Sequence, residues 1–273
     1  MNARTLVNGR RDAVVAADDR GLCYGDGLFE TMLFVRGAAP LGARHMRRLQ
    51  RGCARLLLPA PDVAMLAQEA VEVAAGMPRA VVRITLTRGI GPRGYAPSNA
   101  GCTRIVAAHD PPFIPPDWYT RGIRVRFADL RLGAQPRLAG LKHLNRLEQV
   151  LARAEWNDPE IVEALLLDEG DRVICATAAN VFLSHRDELA TPALDRCGVA
   201  GVGREEMLAH WPHAQVRPVD REELMRADEI FLCSSVRGIL PVRELDGRRL
   251  EPGPFARAMQ QHWQALGLQE ECP

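Results

Sequence analysis

The chain almost does without lysine. Of its 35 lysine and arginine residues one alone, Lys142, is a lysine, and every other basic side chain is an arginine. Arginine serves surface charge and ion pairs at least as well as lysine, but its guanidinium keeps its proton near neutral pH and can neither form an imine nor act as a base. Two readings of Lys142 remain: a chance survivor on a solvated surface, or the one position where amine chemistry is required.

Other absences narrow the class. No apolar run approaches the roughly 20 residues of a membrane span, and the start MNARTLVNGRRD lacks the apolar core of a signal peptide, so no membrane partner and a cytoplasmic location are expected. The formal net charge is +1 with arginines scattered along the chain, which excludes the basic stripe of a nucleic-acid binder. The seven cysteines include no CxxC pair that would suggest zinc or a redox centre; they read as free thiols in a reducing compartment.

What is present fits a globular enzyme. With 273 residues and 47% hydrophobic content, the chain can bury a substantial core as one large or two small domains. Arg4–Val7 and Ala13–Ala16 flank Asn8-Gly9 and predict a hairpin; strands are expected at Leu28–Val35 and Val81–Thr87, and helices at Ala43–Leu57 and Val63–Ala75. Pro111, Pro112, Pro115 and Pro116 then crowd a stretch that neither helix nor central strand would tolerate, an expected interdomain linker. Beyond it, strands are expected at Ile123–Phe127, Ala164–Leu167, Arg172–Cys175, Val181–Ser184 and Glu229–Cys233. Helices are expected at Asn145–Trp156, Arg204–His210, Arg221–Arg226 and Phe255–Leu266. With no regular βαβ rhythm, the class is α+β in two domains. The expected division is a small N-terminal α/β domain over 1–110, a linker over 111–119, and a larger C-terminal domain over 120–273 that carries Lys142.

Lys142 lies in LAGLKHLNRLEQVLARAEW, where Leu147, Val150, Leu151 and Ala154 predict the buried stripe of a helix beginning near Asn145. The lysine would thus precede a helix N-terminus, whose partial positive charge disfavours a second one and primes an amine for nucleophilic or Schiff-base work.

Four segments carry a resemblance: GLKHLNRLEQVLAR around Lys142, RGLCYGDGLFET at Arg20–Thr31, RGIGPRGY at Arg88–Tyr95 and ANVF at Ala179–Phe182. In this order they resemble the fold-type IV pyridoxal-phosphate enzymes, with a D-amino-acid-aminotransferase-like fold, and within that superfamily they are most similar to the aminodeoxychorismate lyases. The resemblance implies pyridoxal 5'-phosphate as cofactor, Lys142 as its attachment point and as the base once freed, and a homodimer. It implies that Arg48, in the HMRRL segment, pairs with the cofactor phosphate, a task suited to a guanidinium fork. CGVAGVGR resembles the family's glycine-rich turn into a helix, with Val202 and Gly203 at the phosphate-contact positions, and Cys233-Ser234-Ser235 resembles a second phosphate loop, with Ser235 bearing the hydroxyl. Thr31 stands where lyases of this superfamily have threonine and branched-chain transaminases glycine. Tyr24 and Arg93 are implied substrate contacts, Arg93 as partner of a carboxylate; a plain solvated loop is the alternative for Arg93.

One position departs from the pattern. Five residues before Asn180 the superfamily carries a glutamate paired with the protonated pyridine nitrogen, and this chain has Cys175. Three readings follow: an enzyme that tolerates a weaker electron sink, a thiolate held by the ring cation, or a degenerate protein. The first is preferred, because expulsion of pyruvate from aminodeoxychorismate ends in an aromatic ring and supplies driving force that a transaminase lacks. Asp168, Glu169 and Asp171 fall in an expected hairpin turn and are not assigned the role. The implied activity is conversion of 4-amino-4-deoxychorismate to 4-aminobenzoate and pyruvate. A D-amino-acid or branched-chain aminotransferase, or a non-catalytic homologue disabled at Cys175, stand as the alternatives.

Overall fold

The computed structural model describes residues 4–97 and 101–269 and divides into two compact units, Met1–Pro111 with Leu141–Asn145, and Pro112–Gly140 with Arg146–Pro273.

The first unit runs β1 (Thr5–Val7), α1 (Arg20–Tyr24), β2 (Gly27–Val35), α2 (Gly42–Arg55), α3 (Val63–Ala74), β3 (Arg79–Thr87) and β4 (Thr103–His109). Its strands form an antiparallel sheet in the order β1-β4-β3-β2. Side chains alternate between faces. Leu28, Glu30, Met32, Val82, Ile84, Leu86, Val106 and Ala108 share one fully buried face. Helix α2 packs there on β2, so closely that a Cβ on Gly52 would meet Leu28 Cδ1 at 2.7 Å, and α3 packs on β3 and β4. The other face carries Phe29, Thr31, Arg83, Thr85, Ile105 and Ala107, of which all but Phe29 are half-buried.

Lys142 was expected in the C-terminal domain, but its segment packs with the first unit. The reason is backbone pairing: Phe29 N–H donates to Lys142 O at 3.0 Å and Leu144 N–H to Gly27 O at 3.1 Å, setting His143 opposite Leu28 at the β2 edge. The Asn8-Gly9 turn forms, with φ of 51° and 80°, and closes a bridge from Val7 to Arg10. No strand follows at Ala13–Ala16, however, because β1 pairs instead with β4.

The second unit runs α4 (Pro116–Thr120), β5 (Ile123–Leu132), α5 (Leu147–Arg153), β6 (Ile161–Asp168), β7 (Val173–Ala176), β8 (Asn180–His185), β9 (Glu188–Pro192), α6 (Val202–His210), β10 (Gln215–Arg217), α7 (Arg221–Arg226), β11 (Glu229–Ser234), β12 (Gly238–Leu245), β13 (Arg248–Arg249) and α8 (Pro254–Ala265). The sheet order is β10-β9-β8-β11-β12-β5-β6-β7, with β13 on β12 and with β5 parallel to both β6 and β12. Successive residues of β6 enter different cores: Leu165 joins Val181, Ile230 and Val242, while Leu166 joins Leu132, Trp156 and Cys175. Burial on both faces explains why the strand reads as the unbroken apolar run Ala164–Leu167.

Part of the expected linker is structured. Pro116 opens α4 at a position where its missing N–H costs nothing, Trp118 and Tyr119 pack against the core of the second unit, and the Tyr119 hydroxyl donates to Arg237 O at 3.0 Å. Helix α5 is shorter than Asn145–Trp156, and its expected stripe is reversed. Leu147, Val150 and Leu151 are 74%, 59% and 60% exposed, Ala154 is exposed too, and Ala152 is the buried residue.

Candidate active site

Lys142 stands opposite Phe29 across the β2 edge, and directly opposed residues of antiparallel chains point to the same side. Its Nζ lies 4.2 Å from the centroid of the Phe29 ring. Thr31, two residues on, shares that face and is the cross-strand partner of Arg83. The structure thus brings Lys142 and Thr31 to one half-buried sheet face.

Arg48 enters from the other face. Its Nε donates to Glu30 Oε1 at 2.8 Å and its Nη2 to Glu30 Oε2 at 2.5 Å, while His45 Nδ1 lies 2.6 Å from Glu30 Oε2. All three residues are buried. Burial alone would raise the Glu30 pKa, but the Arg48 charge, its hydrogen bonds and His45 outweigh it and hold the carboxyl down to about 2. Burial also lowers the His45 pKa, so the imidazole is neutral and its Nδ1–H donates to Glu30. Glu30 takes two of the five guanidinium donors of Arg48.

Two loops of the first unit join. Gly25, at φ 65°, ends α1 in the left-handed region that glycine enters without strain. Gly94 N–H donates to the Tyr24 hydroxyl at 3.1 Å, Arg20 Nη1 donates to Gly94 O at 2.9 Å, and the Tyr24 and Tyr95 rings meet edge-on at 5.6 Å. Tyr24 therefore holds the loop that carries Arg93, whose own side chain is exposed.

In the second unit the two expected phosphate segments meet. Helix α6 starts at Val202 after Gly201, whose N–H donates to Asn180 Oδ1 at 3.0 Å, and the helix has no side-chain cap. A helix start leaves its first N–H groups without intrahelical partners, and Val202, Gly203 and Arg204 are buried there. A Cβ on Gly203 would stand 3.2 Å from the Ser234 carbonyl carbon and 3.4 Å from Ser235 N, so any larger residue would crowd the Ser234–Ser235 backbone that the helix start lies against. Uncapped N–H groups at a helix start beside a serine-bearing loop are a donor set that fits the phosphate of pyridoxal phosphate.

Cys175, on β7, is buried in the cluster with Ala164, Leu166 and Cys197. Burial pushes its thiol up to about 12, with Cys197 adding and Arg146 opposing. Asp168 is confirmed in its turn role: it accepts from Gly170 N–H at 2.9 Å and pairs with Arg172.

Sequence reasoning passed over Phe29, Glu30 and Arg83. Phe29 and Glu30 stood inside the quoted GDGLFET segment, and strict alternation along Leu28–Val35 would have put them on opposite faces. Nothing local marked Arg83 among so many arginines.

The chain belongs to the class IV amino-transferase family, whose model matches residues 27–245. Among its relatives is the aminodeoxychorismate lyase of Vibrio harveyi, 35% identical over 241 residues that cover 86% of this chain and 89% of that one. The crystal structure of 4-amino-4-deoxychorismate lyase from Pseudomonas aeruginosa superposes with a TM-score of 0.91 at 44% identity, covering 96% of this chain and 98% of the other. The D-alanine aminotransferase of Bacillus licheniformis is 25% identical over 273 residues, 94% of each chain.

Proposed function

We propose that this protein is a pyridoxal-phosphate-dependent lyase that converts 4-amino-4-deoxychorismate to 4-aminobenzoate and pyruvate, a step of folate biosynthesis. The observation that carries this reading is the place of the only lysine: Lys142 is pinned by backbone pairing to the β2 edge, on the face that bears Thr31. The 35% and 44% identities to aminodeoxychorismate lyases support the choice of reaction.

When bound, pyridoxal phosphate supplies an electrophilic carbonyl and an electron-accepting ring. Lys142 would be its attachment point, and its amine would be the base for the proton on the ring carbon bearing the substrate amine. The backbone N–H groups of Val202 and Gly203 and the Ser235 hydroxyl would hold the phosphate, and Arg48 is the guanidinium that the resemblance assigns to it. Cys175 would stand toward the pyridine nitrogen, a weaker partner than the usual glutamate. Thr31 would be a catalytic residue on the face that bears Lys142, and Tyr24 and Arg93 would contact substrate. Elimination tolerates the weak partner because its product is aromatic. Borohydride reduction followed by peptide mass analysis tests the reading: a pyridoxyl adduct on Lys142 together with release of fluorescent 4-aminobenzoate is expected, and an adduct elsewhere sinks it.

The aminotransferase reading is favoured by the relation to D-alanine and branched-chain aminotransferases, and 2-oxoglutarate as amino acceptor discriminates it. The non-catalytic reading requires that no visible cofactor band appear. The proposal extends to a homodimer, for which the exposed Leu147, Val150 and Leu151 offer an apolar face, and to the cytoplasm, which suits the free thiols of Cys53, Cys197 and Cys233.

A further inference from the structure

Phe29 stands apart on its face of the first sheet. Thr31, Arg83, Thr85, Ile105 and Ala107 are half-buried there and Phe29 is buried, although α2 and α3 pack on the opposite face. What meets the ring is charge: Lys142 Nζ lies 4.2 Å from its centroid and Arg83 Cζ 4.0 Å. Arg83 donates once, from Nε to Thr85 Oγ1 at 3.3 Å, and pairs with no described carboxylate, so its charge acts on the neighbouring amine uncancelled.

Any aliphatic side chain could fill the space. An aromatic ring differs because its quadrupole makes the face negative, and a cation within about 6 Å of the centroid is attracted to it, more strongly where water is partly excluded. A guanidinium is charged with or without the ring, whereas an amine has two forms and the ring favours the charged one. Neighbouring cations push the other way. Arg83 on β3 shares the ring, and the His45 pKa, lowered chiefly by burial, is lowered further by the Arg48 and Lys142 charges, which puts the amine within electrostatic reach of α2. Glu30 on β2 is engaged by Arg48 and His45. Among these cations an amine would give up its proton readily, and the Phe29 ring opposes that.

We propose that Phe29 is a catalytic residue whose ring face stabilises Lys142 as an ammonium and so makes its amine a stronger base. The inference rests on the lyase reading for the proton that the amine takes, and it deepens that reading by naming what receives the resulting charge. In that step the bond to hydrogen at the amine-bearing ring carbon breaks, its electron pair stays with the substrate carbon and the proton passes to Nζ. The new positive charge forms against the Phe29 ring.

The single lysine makes the test direct, because protein grown on 13C- and 15N-labelled lysine carries one labelled side chain, whose NMR signal follows that amine alone. The full chain is titrated without cofactor and again with pyridoxamine 5'-phosphate, which fills the cofactor site and leaves the amine unattached. In Phe29→Leu the midpoint of the lysine signal should fall by about 0.5 to 1.5 pH units, the equivalent of one cation–π contact. Para-fluorophenylalanine and trifluorophenylalanine at position 29 keep the ring's shape but weaken its negative face, and should lower the midpoint in graded steps. The acid limb of the kcat profile for 4-aminobenzoate release should move down with the midpoint, while the plateau drops about two- to tenfold and cofactor affinity holds. A midpoint unchanged in Phe29→Leu, or flat across the fluorinated series, would overturn the proposal, as would an acid limb that stays in place while the midpoint moves. If Phe29→Leu does not fold, the fluorinated series decides alone. A wild-type protein that releases no 4-aminobenzoate would refute the lyase reading instead, while the lysine titration would still judge Phe29.

Discussion

Arg48 and Glu30 lock each other through two hydrogen bonds, Nε to Oε1 and Nη2 to Oε2, with Glu30 only 1% exposed. The arginine implied as a phosphate ligand is therefore also the counter-charge of a buried acid. Its removal strands that acid.

Arg48→Ala is accordingly expected to destabilise the fold by about 3–5 kcal/mol, the cost of leaving a buried charge unpaired. A role in phosphate binding, expected to be worth about ten- to hundredfold in cofactor affinity, cannot be read from that variant alone. The double variant Glu30→Gln with Arg48→Met removes both charges and should recover most of the stability by thermal melting. Cofactor titration of the double variant then isolates the phosphate contact, and wild-type affinity there would rule it out.

The same pair sets an acid limit. Glu30 has a folded pKa of about 2 against an ordinary 4.5, so its contribution is complete above pH 4.5 and is lost as pH falls towards 2. Urea melts of the wild type and of Glu30→Gln should therefore differ most at neutral pH and converge through that window. A stability gap that stays constant across it would contradict the assignment.

Gly203→Ala brings a methyl to within 3.2 Å of the Ser234 carbonyl carbon and must push the α6 start away from the Ser234–Ser235 backbone. Cofactor affinity should drop by about tenfold, a cost of roughly 1.4 kcal/mol, while the melting temperature changes little. Titration by absorbance checks it, and unaltered affinity removes the cradle from the phosphate.

Cys175→Glu restores the superfamily's usual residue but places a larger, charged side chain in the cluster with Ala164, Leu166 and Cys197, so some stability is lost. Any transaminase side activity should rise by a larger factor than lyase activity. Keto-acid release and 4-aminobenzoate fluorescence on one preparation measure both. Equal changes, or a wild type that transaminates as fast as it eliminates, would defeat this account of Cys175.

Leu151→Glu charges an exposed apolar face of α5. A shift from dimer to monomer mass in sedimentation is expected, with the melting temperature dependent on concentration only in the wild type. An unchanged mass would exclude this helix from the dimer contact.

Where sequence spacing matched burial, the reading held: α2, α3, α6, α7 and α8 lie within two residues of their expected bounds. It failed at α5 because Leu147, Val150 and Leu151 have helical spacing whether the apolar face meets a core or lies exposed. It failed at Ala13–Ala16 because the turn chemistry of Asn8-Gly9 sets the bend but not the partner of β1, which lies about a hundred residues on in β4. The cradle was legible as two glycine- and serine-bearing segments, yet their meeting at Gly203 depends on the course of the whole sheet between them. Arg83 was illegible, since its isolation from carboxylates is a property of space and not of neighbours in the chain.

The five residues Leu141–Asn145 belong to the first unit, while the chain on either side of them belongs to the second. Neither unit of this protein therefore corresponds to a single uninterrupted stretch of gene. A fragment ending at Pro111 would leave Phe29 N–H and Gly27 O without the partners that Lys142 and Leu144 give them, and it would carry no lysine at all. Recombination among relatives must move the lysine and both flanking segments together, which ties the chemistry of this chain to the inheritance of its full length.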